Sequence, residues 1–328
     1  MNGYDIRRPT EGDAEAIHEL VAEHDTEVLG KPDATLEDVA EVLGELDLAT
    51  DGWLVHQGDR LAGWGWACPK GTSDNVDIDV QARDEAVVAW LWERVLERAV
   101  EIARDLGHAQ ARVDIGIYRE DVALQAAAKE RGLAVATSFH RMRIDNGDDH
   151  GGHAGAAEPE TPPGVIVESG EPDQERLCTA HRIQQEGFAR HFGFVPKTFE
   201  EWVSDMEASS ASDWSQLLIA RVDGEPAAML LGTNHFVSDE DCGYVRTLAV
   251  LPAFRGRGLG KLLLRTAFAA DARRGRTGTI LHVDSNNVTP ALDLYLSTGM
   301  RQVLAIDAWR ADLPTGLPTG PATSDEAD

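Results

Sequence analysis

The amino-acid sequence predicts an α+β fold, of the mixed α/β class, in which two similar domains follow one another. Segments with the two-residue apolar period of strands alternate with segments of helical spacing. The same order of segments occurs before residue 146 and after residue 164. Because helices separate strands that must then pair partly in parallel, we expect each domain to form a mixed, mostly antiparallel sheet flanked by helices.

The first domain is expected over residues 1–145. Its clearest helix has Leu91 and Val95 on one apolar face, and a Gly58-Asp turn joins two strand-like segments as a hairpin. The predicted strands are 4–7, 52–57, 61–67, 75–80, 111–115 and 134–144, and the predicted helices are 11–24, 35–46, 84–106 and 120–131.

The second domain is expected over residues 165–313, where the order repeats. An Asp223-Gly224 turn marks its hairpin, and Gly299 closes its last helix. The predicted strands are 165–168, 215–222, 226–234, 243–250, 279–284 and 302–309, and the predicted helices are 173–190, 198–206, 257–274 and 289–298. The match between the halves predicts a tandem duplication.

Two segments are expected to lie outside the folded domains. Residues 146–164 are rich in Gly, Pro and acidic residues, which is typical of a flexible linker. His150 and His153 of this linker have no Cys or further His nearby in the sequence, so we interpret them as solvated and expect no metal. Residues 314–328 have a similar composition and predict a disordered tail.

Composition limits the classes of partner and compartment. The 328 residues, of which 42% are hydrophobic, can bury two cores. There is no apolar run of membrane-spanning length and no apolar signal-peptide core, and Cys68, Cys178 and Cys242 are scattered, so we expect a reduced, cytoplasmic protein without a membrane partner. The formal net charge of −27 argues against nucleic-acid partners. It fits a cationic substrate weakly, and we interpret it mainly as a solubility feature.

The most informative segment is the glycine-rich turn of residues 250–261, between a predicted strand and a predicted helix. Glycine has no Cβ, so its backbone can approach a ligand closely and adopt φ > 0. The helix start offers unpaired N–H groups and the positive end of its dipole, which suit a phosphate group. From Arg246 to Arg276 the chain has eight Lys/Arg but one acid, Asp271. The residues expected at this anion site are Arg255, Gly256, Arg257, Gly258, Leu259, Gly260 and Lys261.

The spacing of this turn points to one family. The Rossmann spacing Gly-x-Gly-x-x-Gly is absent, and no Lys-Ser/Thr pair follows as in a P-loop. Instead, Arg255-x-x-Gly258-x-Gly260 resembles the acetyl-CoA pyrophosphate loop of the GCN5-related N-acetyltransferases, the GNAT superfamily. Residues 284–300 resemble a later motif of that superfamily, with Asn at a helix start and a Leu-Tyr pair before Gly299. Both motifs occur in order, and the tandem layout covers most of the chain.

The resemblance implies acetyl-CoA as the co-substrate and assigns its contacts. In the family, the strand before the loop splays from its neighbour, and its free backbone groups bind the pantetheine arm; here those groups belong to Leu248, Ala249 and Val250. Tyr295 corresponds to the Tyr near the CoA sulfur that can protonate the leaving thiolate, with a half-buried core position as the alternative. Asn287 corresponds to a cofactor-contacting Asn, with helix capping as the alternative.

The resemblance leaves the general base open. Many relatives place a Glu on the strand before the loop, where this chain has Tyr244. A Tyr of ordinary pKa is a poor base at neutral pH, so the role that we consider for Tyr244 is to order a water. The other candidates precede that strand: His235, Asp239, Glu240 and Asp241. The alternative for each of these four is a solvated loop residue.

The acceptor pocket is expected between the two early helices of the second domain, because this region covers the acceptor in the family. His191, Phe192 and Phe194 are therefore expected to line it, with ordinary packing as the alternative. His235 is expected as a further substrate residue from the loop before the strand of 243–250.

The first domain departs from the family pattern at the position of the anion loop. No glycine occurs there, and residues 79–85 include carboxylates that would repel an anion at a helix start. Asp84 and Glu85 are favourable first-turn acids of a helix instead. We predict that this domain is a scaffold that has lost cofactor binding.

The resemblance predicts an acetyl-CoA-dependent N-acetyltransferase that transfers acetyl directly to the primary amine of a small molecule or peptide in the C-terminal domain. A narrower alternative is acetylation of a cysteinyl pseudodisaccharide, because the tandem layout and degenerate first half match the enzyme that performs it. An alternative of another class is a non-catalytic acyl-CoA-binding sensor or interaction protein. Edge strands in this fold often pair between subunits, so the formation of a homodimer is left as an alternative.

Overall fold

The computed structural model of the chain describes residues 1, 3–146, 158–189, 191, 194–285 and 291–318. Unit 1 comprises Met1–Ala136 and the segment that begins at Ile306, and unit 2 comprises Thr137–Ala305. Most of the predicted linker and tail, together with Phe192 and Asn287, lie outside the described residues. Within the described part of the chain, no helix combines the length and apolar character needed to cross a bilayer.

The elements from the first half of the chain follow the predicted order. They are β1 (Asp5–Arg7), α1 (Ala14–Leu29), α2 (Leu36–Glu45), β2 (Gly52–Gln57), β3 (Arg60–Pro69), β4 (Asn75–Ala82), α3 (Glu85–Asp105), β5 (Gln110–Tyr118), α4 (Val122–Glu130) and β6 (Ala134–Asp145). Neighbouring strands from β1 to β4 pair antiparallel, and β4 pairs with β5 in parallel.

Helix α3 packs closely on the sheet of unit 1. A Cβ at Gly63 would lie 2.5 Å from Cγ1 of Val87, so the glycine allows the helix to approach β3. Leu91 and Trp92 of α3 are fully buried in this core. The Asp84 carboxylate accepts a hydrogen bond from the backbone N–H of Ala86 at 2.8 Å and caps the helix. The predicted role of Asp84 as a structural acid at the start of a helix is therefore confirmed.

The second half repeats the order. Its elements are β7 (Val165–Glu168), α5 (Gln174–Phe188), α6 (Phe199–Ala208), β8 (Ser212–Val222), β9 (Glu225–Thr233), α7 (Val237–Glu240), β10 (Cys242–Val250), α8 (Leu259–Arg273), β11 (Gly278–Asp284), α9 (Ala291–Ser297) and β12 (Arg301–Pro314). In this half β10 pairs with β11 in parallel and with β9 antiparallel. The predicted mixed, mostly antiparallel α+β fold is confirmed. The acids predicted in a loop at 239–241 lie instead in and directly after the short helix α7.

The last strand of each half pairs within the sheet of the other half. Unit 1 has the strand order β1-β2-β3-β4-β5-β12, and unit 2 has the order β6-β11-β10-β9-β8-β7. Strand β12 pairs with β5 from Ile306 to Pro314, and β6 pairs with all seven residues of β11. The predicted boundaries at 145 and 313 therefore differ from the units of the structure. Apolar periodicity identifies a strand but does not identify its partner.

The start of the predicted tail is part of the fold. Pro314 is the last residue of β12, and Thr315 is buried. The Thr315 hydroxyl donates to the carbonyl oxygen of His108 at 2.6 Å, and Nε of Arg104 donates to the carbonyl oxygen of Thr315 at 2.8 Å. On β12, Arg310 forms two hydrogen bonds of 2.6 Å with the buried carboxylate of Asp114 on β5. These contacts hold β12 in unit 1.

The strand exchange predicts which fragment of the chain folds. A fragment of residues 137–305 keeps β6 beside β11 and should unfold cooperatively on heating. A fragment of residues 165–313 loses β6 and exposes the whole edge of β11, so it should aggregate or show no cooperative transition. Circular dichroism melts and gel filtration measure both properties. Equal stability of the two fragments would contradict the exchanged pairing.

Candidate active site

The site lies where two parallel strands of unit 2 diverge. Strands β10 and β11 pair from Cys242 opposite Gly278 to Val245 opposite Leu281. Beyond that point β10 continues only beside β9, with a register shift between Val245 and Thr247, and reaches Val250. A cavity of about 560 Å³ lies along this divergence. The predicted backbone contacts of Leu248, Ala249 and Val250 all line it.

The start of α8, where the sequence predicts an anion site, lines one part of the cavity. Gly256 and Gly258 both have φ of 76°, and a Cβ at either would meet no described atom within 4 Å, so open space lies before this turn. Gly258 is the N-cap residue and has no side chain that could bond the free N–H groups of the first turn. A Cβ at Gly260 would lie 3.0 Å from Cδ2 of Leu294, so this glycine allows α9 to approach α8.

The three predicted cations differ in their placement. Nε of Arg255 donates to the carbonyl oxygen of Val250 at 3.2 Å, and Nζ of Lys261 donates to the carbonyl oxygen of Ser297 at 3.2 Å. Arg255 and Lys261 line the cavity, as does Leu259. Arg257 is not among the lining residues; its guanidinium carbon lies 5.3 Å from the ring centre of Phe254.

Tyr295 of α9 lines the cavity and also belongs to the hydrophobic core of unit 2. Its side chain is almost buried, with 8% of the residue exposed. Burial raises the pKa of Tyr295 to about 12, because the phenolate loses its hydration. The hydroxyl is therefore protonated at neutral pH and able to give a proton to an anion formed in the cavity.

The end of α5 and the segment after it cover one side of the cavity. A Cβ at Gly187 would lie 2.9 Å from Cβ of Ala249, so the glycine brings α5 against β10. Phe188, His191 and Phe194 line the cavity, and the rings of Phe188 and His191 have centres 4.4 Å apart. Burial lowers the pKa of His191, and the charge of Arg255 adds to this effect, while Asp284 opposes it.

Tyr244 faces the cavity and is hydrogen-bonded to a histidine that sequence reasoning missed. The Tyr244 hydroxyl lies 3.1 Å from Nδ1 of His282 on β11. On the other side of that ring, Nε of Arg141 on β6 donates to Nε2 of His282 at 3.1 Å. Tyr244 and His282 both line the cavity, whereas Arg141 is buried behind them.

The other base candidates lie away from the cavity lining. The ring of His235 packs against Phe236 and Tyr244, with centres 4.7 and 5.6 Å away, and His235 does not line the cavity. Asp239, Glu240 and Asp241 are also absent from its lining. Glu240 instead forms an ion pair with Arg143 on β6.

Asp284 is a second lining residue that sequence reasoning missed. Its carboxylate accepts a hydrogen bond from the Thr137 hydroxyl, and the residue is 8% exposed. His282 and Asp284 are alternate residues of an otherwise mainly apolar strand, and that pattern was a usable signal for two polar groups on one face. No local sequence pattern indicated the hydrogen bond between Arg141 and His282.

Together these features match the GNAT fold that the sequence motifs predict: a divergent parallel strand pair, a glycine turn at the start of a helix, and a buried tyrosine in one cavity. Residues 180–300 match the sequence model of the family described as the acetyltransferase (GNAT) family. The matched residues lie in unit 2.

Two solved structures resemble the whole chain in fold. A GCN5-related N-acetyltransferase from Sphaerobacter thermophilus has a TM-score of 0.77 at 23% identity, and the match covers 96% of this chain and 97% of that one. A tandem GNAT protein from the clavulanic acid biosynthesis pathway has a TM-score of 0.70 at 15% identity, and the match covers 97% and 100% of the two chains. At these identities the likeness concerns the fold, and it agrees with the tandem layout.

Sequence similarity to curated proteins is partial. A mycothiol acetyltransferase from Thermomonospora curvata is 30% identical over 142 residues, which are 42% of this chain and 44% of that protein. The matched segments span about half of the length of the curated relatives.

The half-buried position of His191 predicts a pH effect. Because the folded state holds the pKa of His191 below the ordinary value of about 6.5, the unfolded chain binds this proton first as the pH falls. His191 should therefore reduce the free energy of unfolding below that pH. NMR titration of the His191 ring, assigned with His191→Gln, measures the pKa directly. A midpoint at or above the ordinary value would show a solvated ring and contradict the assignment to the cavity wall.

Proposed function

We propose that the protein is an acetyl-CoA-dependent N-acetyltransferase whose active site is the cavity of unit 2. Its acceptor is the primary amine of a small molecule or peptide, and the acetyl group moves directly from the thioester to the amine. One observation carries the proposal: a single cavity is lined by the glycine turn at the start of α8, by the part of β10 beyond its pairing with β11, and by Tyr295.

The residues present fit acetyl-CoA. The turn from Gly256 to Gly260 offers backbone N–H groups to the pyrophosphate, and Arg255 and Lys261 add positive charge at the same end. The peptide groups of Leu248 to Val250 that point away from β9 are placed to bond the pantetheine arm. The contact predicted for Asn287 remains a prediction, since this residue lies outside the described part of the chain.

The proposed transfer balances in two steps. The amine nitrogen attacks the thioester carbonyl carbon, and a backbone N–H of β10 stabilises the negative charge that develops on the carbonyl oxygen. The carbon–sulfur bond then breaks, and the thiolate takes the proton of the Tyr295 hydroxyl. The nitrogen loses its extra proton to water to give the amide, and Tyr295 regains a proton from water. The raised pKa of Tyr295 keeps that proton available at neutral pH.

A narrower candidate is mycothiol synthase, favoured by the similarity to two proteins named mycothiol acetyltransferase. The chain spans only about half of their length, and Tyr244 stands where many relatives have a Glu, so the acceptor is best identified with an amine panel that includes the cysteinyl pseudodisaccharide. A non-catalytic sensor is the other candidate. It would bind acetyl-CoA without consuming it, and the same panel distinguishes the two.

Calorimetric titration with acetyl-CoA tests the cofactor site first. We expect one site per protein chain. In unit 1 the start of α3 carries the Asp84 carboxylate, whereas the first turn of α8 in unit 2 has no acidic residue. Gly258→Asp should weaken binding by at least about 100-fold, or about 2.7 kcal/mol, because it adds a side chain and a negative charge at the helix start.

Gly275→Asp is the matched control for this substitution. Gly275 has φ of 78°, and a Cβ there meets nothing within 4 Å, but it follows the other end of α8. It therefore carries the same backbone strain without altering the anion site. Two binding sites would mean that unit 1 also binds acetyl-CoA, and equal affinity of both variants and the parent would show that the turn does not hold it.

Removal of the Tyr295 hydroxyl tests the proton donor. Tyr295→Phe should lower kcat by about 10² to 10⁴-fold, which is the usual contribution of a general acid, with little change in acetyl-CoA affinity. Tyr118→Phe, which removes a hydroxyl bonded to Asp33 in unit 1, is the control. An unchanged kcat in Tyr295→Phe would remove this residue from the mechanism.

A further inference from the structure

We infer that Tyr244, His282 and Arg141 form a polarised hydrogen-bond chain that removes the proton of the acceptor amine. Tyr244 is the catalytic residue that contacts the amine, and His282 and Arg141 are positioning residues behind it. The inference rests on the proposed function and supplies the base that the sequence left open.

The three residues are held by three adjacent strands of unit 2. His282 on β11 is the register partner of Arg141 on β6, and its ring lies 5.6 Å from the ring of Tyr244 on β10. The two hydrogen bonds of the chain are both 3.1 Å long. Arg141 is 7% exposed, and its guanidinium carbon lies 4.8 Å from the ring centre of Phe236. The hydrogen-bond chain therefore runs from a buried cation to the hydroxyl of a tyrosine that lines the cavity.

The chemistry of arginine fixes the protonation of His282. A guanidinium only donates hydrogen bonds, so Nε2 of His282 must accept from Arg141 and carry no proton. The neutral ring then carries its proton on Nδ1, and that N–H donates to the Tyr244 oxygen. A second ring proton is disfavoured, because it would face the Arg141 N–H and place two positive charges in contact. His282 is thus a neutral donor aimed at Tyr244.

This arrangement prepares the Tyr244 oxygen to accept a proton. The His282 N–H and the charge of Arg141 behind it both stabilise negative charge on the phenolic oxygen. Tyr244 first loses its phenolic proton to water. An ammonium acceptor then gives its proton to the phenolate, so an N–H bond breaks and an O–H bond forms. The freed nitrogen lone pair then attacks the thioester carbonyl, and Tyr244 later returns the proton to water.

Other charges around the chain bear on its pH dependence. Glu240 is a counter-charge to Arg141, at 3.9 Å from Nη1, but its ion pair with Arg143 is closer. Other charged and titratable groups on the surrounding elements include His140 and Asp145 on β6, Arg246 on β10, Asp284 on β11, His235 before α7, Asp239 in α7 and His191 after α5.

The first test does not depend on activity. ¹⁵N NMR of the ring nitrogens of His282 in the full chain, assigned with His282→Asn, reports the tautomer. We expect the neutral ring with its proton on Nδ1 at pH 7. A proton on Nε2, or an imidazolium at that pH, would overturn the inference whatever the activity.

The second test distinguishes a role of the hydrogen-bond chain in proton transfer from a purely structural role of Arg141. Arg141→Met should move the acidic limb of the pH profile of kcat/KM for the amine to higher pH by about one unit. At pH values below the limb, this shift lowers kcat/KM about tenfold, whereas the affinity for acetyl-CoA should be unchanged. The matched control is Arg143→Met, which removes a neighbouring arginine of β6 that bonds Asp145 and Glu240. It should leave the profile in place. Equal profiles for Arg141→Met and the parent protein would refute the inference.

A rescue experiment tests the role of Tyr244. Tyr244→Phe should lower kcat/KM about 100-fold, and Tyr244→Glu should restore activity that no longer depends on His282, because a carboxylate accepts the proton unaided. A large effect of His282→Asn in the Tyr244→Glu background would mean that His282 acts through packing, against the inference. Acetyl-CoA binding without turnover on any amine would instead contradict the proposed function, and with it the catalytic role of Tyr244.

Discussion

The site of this protein depends on the point where β10 stops pairing with β11. On the paired side of that point, Asp271 of α8 forms a buried ion pair of 2.6 Å with Arg276 and accepts a hydrogen bond of 2.6 Å from the hydroxyl of Thr279 on β11. A Cβ at Gly243 would lie 2.0 Å from that carboxylate, so β10 must have a glycine there. Beyond Val245 the strands part and leave backbone groups for a ligand. Breaking such a buried pair typically costs about 3–5 kcal/mol, so the contact between α8 and the paired end of β11 is firmly held.

The two units share this geometry but differ in electrostatics. In unit 1 the parallel pairing of β4 and β5 also ends early, at Asp77 opposite Asp114, and a long helix follows β4. There the helix start is bonded by the Asp84 carboxylate, and burial raises the pKa of Asp79 on β4 to about 6. In unit 2 the corresponding helix start is a bare glycine beside two cations. A similar backbone frame therefore favours an anion in one unit and disfavours it in the other.

Local patterns predicted most of the fold and the anion end of the site. Periodicity located the strands and helices, and the glycine spacing together with Tyr295 located the cavity, because these signals lie within short segments. The strand exchange and the Arg141–His282 contact join residues far apart in sequence, so they depend on pairing that no local pattern records. His235 was expected at the substrate, but its ring packs on Phe236 and Tyr244 instead, and such packing is decided by the tertiary fold.

The exchange of β6 and β12 also bears on how the chain folds as it is synthesised. Strand β6 leaves the ribosome long before its partner β11 exists, and the first half must wait for β12, near the end of the described chain, to complete its sheet. Until then each nascent sheet has an unpaired edge, and such edges recruit other chains. The contacts that close both sheets span large sequence separations, which slows folding. The two halves of the chain therefore finish folding together, once β12 has been synthesised.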